Sequence, residues 1–187
     1  MLHTIKEFGV YAEITGFKNV KFSDAESFLK ATRKKKSDLE LQFFDADTVA
    51  SQKHLYFAVL NALQAFKNKT NISKSQAVET MLYASAQRQI QRAIERCGIK
   101  PQTTAMAVTV VGADPAEIKT LLWEISLCIG EKPDEAVLEI TKDKLEKIKE
   151  TFQVSTEEIK STINDGNQKD AVVDLVVERV ALLATQL

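Results

Sequence analysis

Thr103 to Val111 reads TTAMAVTVV, a run of β-branched and small apolar side chains without a single charge. Such a run predicts a β-strand, and a strand inside a helical chain demands partner strands. Gly112 then turns the chain into Asp114-Pro-Ala-Glu117. That places an N-cap Asp, a Pro at N1 and a Glu at N3 of a helix running to about Ile129. Two other segments suit a sheet. Lys6 to Phe17 alternates, with Phe8, Val10, Ala12 and Ile14 on one face and Gly16 near its end; Leu39 to Phe44 follows, closed by the polar Asp45-Ala-Asp47. The expectation is an α+β fold: one helix-rich domain over residues 1–187, with a weak seam near 131–134. Its small mixed or antiparallel sheet (strands near 6–16, 39–44 and 103–111) is flanked by about seven helices.

The helices announce themselves by caps and periodicity. Ser23-Asp-Ala-Glu26 is a capping-box pattern opening a helix to about Lys35, which ends in the basic run Arg33-Lys-Lys-Lys36. Ser51 to Lys67 carries Leu55, Val59, Ala62, Leu63 and Phe66 on one face, with Lys53 and His54 in its first turn. Ser73 to Tyr83 opens with a Ser73…Gln76 box, and a break at 84–86 precedes a helix that stops at Gly98, a natural C′ glycine. Two short helices rich in acids and lysines are expected at 141–152 and 156–163, then a loop from Asn164 and a last helix from Asp170 to Thr185.

Composition narrows the function. Of the 187 residues, 44% are apolar and 27% charged, ordinary for a water-exposed globular domain. The N-terminal MLHTIKEFGVYAEI lacks a signal-peptide pattern, and no apolar run is long enough to span a bilayer, so a cytoplasmic protein without membrane contact is expected. The six glycines are scattered singly and build no phosphate-cradling loop. His3 and His54 stand in no metal-binding spacing. Cys97 and Cys128 lie on apolar helix faces and are expected as reduced core residues, and the C-terminal helix end at Cys97 disfavours a thiolate. No enzyme, metal, cofactor or small-molecule substrate is expected.

Charge is segregated along the chain. Residues 51–100 contain eight basic side chains against only Glu79 and Glu95, whereas the stretch from 101 to 187 is strongly acidic. Such separation raises the odds of nucleic-acid contact in the middle and of a protein partner at the end. On a helix, Arg88, Arg92 and Arg96 at i, i+4 and i+8 stack along one face, opposite a core face of Ile90, Ala93, Ile94 and Cys97. A solvated flank is the simpler reading of that ridge. The last helix has one narrow polar stripe, Asp170, Asp174 and Glu178, and is otherwise apolar nearly all round. It must be covered on more than one side, either as a central buried helix or by a partner.

One ordered set of residues resembles a known family. Gln42-Phe43-Phe44-Asp45-Ala46, His54-Leu55, Ser73, Glu79, Leu82-Tyr83, Ser85, Arg88-Gln89-Ile90, Ala93 and Gly98-Ile99 resemble the kinase-binding small subunit of the KEOPS complex. Ile14-Thr-Gly-Phe-Lys-Asn-Val20 and Glu178-Arg-Val-Ala-Leu-Leu183 are similar to its archaeal members, while 131–165 match only loosely. The resemblance implies a non-enzymatic subunit of the machinery that makes threonylcarbamoyladenosine beside the anticodon of ANN-decoding tRNAs. It implies docking on, and stimulation of, the small atypical kinase/ATPase of that complex. Archaeal members also bind the CCA tail of tRNA, and this chain keeps the arginine of the Arg-Gln-Ile trio.

Combined with the helix pattern, this marks Arg88, Gln89, Arg92 and Arg96 as RNA-binding candidates, extended by Lys53 and His54 if the preceding helix packs alongside. Lys53 has a plain surface role as its alternative, and His54 a capping or packing role. The kinase-facing candidates are Val172, Val176, Val180 and Leu183, with Arg179 as a rim charge. The alternative function is a protein-only regulatory adaptor of a kinase, its arginines in solvent or paired with the chain's own acidic third.

Overall fold

The computed structural model describes residues 1–21, 38–163 and 167–185. The helix expected at 23–35, its basic end at 33–36 and the loop at 164–166 lie outside the described residues. Four strands form one antiparallel sheet in the order β1-β2-β4-β3: β1 Leu2–Ile5, β2 Val10–Phe17, β3 Glu40–Asp45 and β4 Met106–Gly112. The uncharged run did become the central strand: β4 is buried along its whole length. The first expected strand proved to be two. Lys6–Phe8 forms a 3-10 turn, and Gly9 at φ +65° takes the left-handed conformation that reverses the chain from β1 into β2.

Seven α-helices complete the described residues: α1 Gln52–Asn68, α2 Gln76–Ser85, α3 Ile90–Cys97, α4 Pro115–Ile129, α5 Lys142–Phe152, α6 Thr156–Thr162 and α7 Gln168–Leu183. The fold is thus α+β, as the pattern of segments predicted. Alternation along the strands divides the core. Ile14, Phe44 and Ala107 face α1, α2, α5 and α7, while Phe17, Phe43, Met106, Val108 and Val110 face α4. Asp114 caps α4 through the Ala116 amide at 2.8 Å, with Pro115 in the first turn.

Two local expectations are corrected. The cap of α2 is Ser75, whose Oγ accepts from the Val78 amide, not Ser73. The buried Glu79 carboxylate takes the amides of Ile72 and Ser73, at 3.0 and 2.7 Å, and so holds Ser73 in the loop before the helix. Cys128 is exposed on α4 and is no core residue.

Candidate functional site

The short helix α3 is held against the body by only two buried side chains, Ala93 and Cys97. Its predecessor α2 ends where Ala86 adopts a left-handed conformation at φ +50°, with the Gln87 amide reaching back to the Leu82 carbonyl. Arg88 therefore falls in the bend between helices, and Gln89 is the N-cap of α3. The three arginines do not stack on one helix: Arg92 and Arg96 lie one turn apart on α3, and Arg88 stands before it. Nor is Gly98 a left-handed terminator; its φ is −73°. A Cβ there would come within 2.5 Å of the Ile94 carbonyl oxygen, so glycine permits a close approach.

The outward faces of α3 are split by chemistry. Ile90 and Ile94, expected in the core, are 42% and 51% exposed and form an apolar flank. Arg92 and Arg96 form the other flank, on a polar depression of about 580 Å³ shared with Gln87, Lys100 and Lys147. Arg88, Gln89 and Arg92 are exposed, and their side chains make no hydrogen bond or ion pair among the described residues. Arg96 is half-buried and donates to the Ser85 carbonyl at 3.1 Å, which ties α3 to the end of α2. Lys147 reaches the depression from α5, where it pairs with Asp47 at 3.0 Å.

His54 and Lys53 are not part of this surface. His54 is fully buried. Its Nδ1 accepts the Ala50 amide at 3.2 Å, so Nε2 carries the proton and donates to the Ala84 carbonyl at 2.8 Å. Burial holds its pKa down to about 4, aided by the nearby Lys144 ammonium, so the ring is neutral and joins the start of α1 to the end of α2. Lys53 points to α7 instead and pairs with Asp174 at 2.7 Å. Cys97 is buried beside Thr48, and desolvation pushes its thiol up to about 12, far from a usable nucleophile.

The valines named on the last helix are also corrected. Val172, Val176 and Val180 are fully buried and Leu183 nearly so, all within this chain's own core against α1. Arg179 is no rim charge. Its Nη2 donates to Glu158 Oε1 at 2.8 Å and to the Gln153 carbonyl, and its Nη1 to the Leu175 carbonyl. It braces α7 to the turn between α5 and α6. The face that α7 does show carries Asp170, Asp174, Glu178 and Leu182, with Val173 and Val177 half-buried between them.

Residues 17–184 match the family model described as kinase binding protein CGI-121, nearly the whole chain. The chain belongs to the CGI-121 family. It is also 34% identical over 145 residues to "Regulatory protein Cgi121" of Methanocaldococcus jannaschii, a match that covers 78% of this chain and 83% of that protein. As a member of a kinase-binding family it has a regulatory adaptor role, and both α3 and the outer face of α7 lie inside the matched region.

For this CGI-121 family member, sequence reasoning missed Lys147 and Lys100 beside the arginines. Lys147 stands in the acidic third of the chain, and only the packing of α5 on the Ala46–Thr48 turn brings it there. The exposed isoleucines were missed for another reason: helical periodicity groups them with Ala93, yet α3 is covered along too narrow a strip to include them. No described helix is long and apolar enough to cross a membrane. The described residues contain no cluster of His, Cys, Asp and Glu suited to a metal.

Proposed function

We propose that this chain is a non-enzymatic subunit of a KEOPS-type tRNA-modifying complex and acts as one domain. It binds and stimulates the small atypical kinase/ATPase subunit and receives the single-stranded CCA end of tRNA. The observation that carries the RNA half is the set of disengaged donors on one short stretch: the side chains of Arg88, Gln89 and Arg92 are exposed and without partners among the described residues. Guanidiniums pair with phosphates in a bidentate way, and a free carboxamide can read a base edge. Exposed Ile90 and Ile94 lie beside them as an apolar platform for a base face. Arg96, Lys100 and Lys147 add positive charge in the adjoining depression. For the kinase half, the contact surface is the outer ridge of α7, Val173, Val177 and Leu182 among Asp170, Asp174 and Glu178.

Binding of intact and tail-trimmed tRNA tests the RNA half. Arg92→Glu is expected to weaken intact tRNA at least about tenfold, and trimming the tail to do the same to the wild type. Equal binding of intact and trimmed tRNA sinks the tail claim. Val177→Asp should abolish co-purification of the kinase with the fold retained. The protein-only adaptor is the second reading. It is favoured by the Lys53–Asp174 and Lys147–Asp47 pairs, in which basic side chains find acidic mates within the chain. It expects no change in RNA retention with Arg92→Glu.

A further inference from the structure

The outer face of α4 takes part in neither surface. This helix packs on the sheet through Ile118, Leu121, Leu122 and Ile125, all buried. On its opposite side, one turn apart, stand Trp123 at 62% and Leu127 at 61% exposure, the two most exposed large apolar side chains among the described residues. They border a depression of about 710 Å³ together with Lys119, Leu122, Glu131 and Pro133. An indole and a leucine left together in water on a rigid helix are the material of a binding hot spot.

We infer that this face pairs with the same face of a second copy of the chain, α4 against α4, antiparallel about a two-fold axis. Lys119, Trp123 and Leu127 follow one another at four-residue spacing on α4, and Glu131, just past the Gly130 cap, lines the same depression, so the face runs cation, apolar, apolar, anion. A two-fold axis midway between Trp123 and Leu127 lays Trp123 on the partner's Leu127 and Lys119 on the partner's Glu131, and does so at both ends. A parallel arrangement in the same register opposes lysine to lysine and glutamate to glutamate. The charged ends are available for this. Lys119 has no ion pair among the described residues, and Glu131 accepts one hydrogen bond, from Asn19 Nδ2 at 3.0 Å. Of the other charged groups in the depression, Glu13 is paired with the N-terminal ammonium at 2.6 Å, and Lys132 follows Glu131 in the loop after α4. A single helix pair is a small interface, so the dimer is weak and concentration-dependent.

Sedimentation of the full chain across micromolar to millimolar concentration tests this. A doubling of mass with rising concentration is expected, and Trp123→Glu should abolish it. Lys119→Glu and Glu131→Lys should each weaken association about tenfold. Combined in one chain they restore the two opposite-charge contacts, and association should return to within about threefold of the wild type. The charge swap keeps the test sharp even where Trp123→Glu alters the fold, because Lys119 is exposed and Glu131 half-exposed, and neither belongs to the core. A wild type that stays monomeric throughout overturns the inference, as does a double variant that fails to recover. Loss of kinase co-purification with Trp123→Glu in a monomeric wild type assigns the face to the kinase instead, and equally overturns it.

Discussion

Arg92 on α3 is exposed and its side chain has no hydrogen bond or ion pair among the described residues, whereas Arg179 on α7 gives its guanidinium to Glu158 and two backbone carbonyls. The two helices differ in the same sense. α3 buries only Ala93 and Cys97, with Arg96 half-buried against the end of α2, and leaves most of its outer face in water. α7 buries Ala171, Val172, Leu175, Val176, Val180 and Leu183 and keeps one ridge outside. A side chain's role follows from how much of its helix is already covered. A basic residue on a thinly attached helix stays available to a partner, and the same residue between packed helices becomes a brace.

The largest expected effect breaks this contrast if it fails. Val176→Asp places a carboxylate in a fully buried site and should cost about 4 kcal/mol or more, read as loss of cooperative unfolding in urea. A variant that stays fully stable and loses only the kinase would show that Val176 faces outward. His54→Ala, next in size, removes both hydrogen bonds and the edge contact with Phe152, at a cost of about 3 kcal/mol, while RNA affinity per folded molecule stays unchanged.

The same histidine sets a pH dependence. Its folded pKa, about 4, lies below the ordinary 6.5, so the unfolded chain binds more protons between those values. Its contribution is fully present above about pH 6.5 and is lost as pH falls toward 4, for a total of about 3 kcal/mol. Urea midpoints of wild type and His54→Ala should converge over that window. Parallel curves would mean that the ring is not buried neutral.

Smaller effects sharpen the contrast. Arg92→Glu should change stability by less than about 0.5 kcal/mol while flattening the salt dependence of RNA binding. Arg179→Ala should cost about 2 kcal/mol of stability and leave RNA binding alone, measured by thermal melting and gel shift. The smallest expected loss of RNA affinity belongs to Lys147→Ala. Its pairs with Asp45 and Asp47 are partly exposed, so stability should fall by under about 1 kcal/mol, with RNA affinity down about threefold.

Much of this molecule could be read along the chain, because caps and periodicity act over a few residues. Asp114-Pro115 opened α4 where expected, and Ser51 capped α1. The β-branched run became the central strand, and Arg88 and Gln89 did lie on the surface, where Ile90, expected in the core, joined them. Errors arose where long-range contacts choose between local options. Helical spacing offered two ridges on α7, 172/176/180 and 173/177, both valine-rich, and packing against α1 selected the first for the core. Spacing also ran Arg88 into α3, although the reversal at Ala86 puts it in a bend.

The sequence by itself determined the class of fold, three of the four strands and where most helices lie, and the concentration of positive charge in 51–100. Local hydrogen bonding and side-chain entropy act over a turn or two and need no distant partner. Only the tertiary structure decided which side chains remain for others. It took His54 and the valines of α7 inward, turned Arg179 and Lys53 to acidic mates, and brought Lys147 across to Arg92 and Arg96. It also left Trp123 and Leu127 in water on an otherwise well-packed helix. Availability is a property of surfaces, and surfaces exist only once the elements have chosen their neighbours.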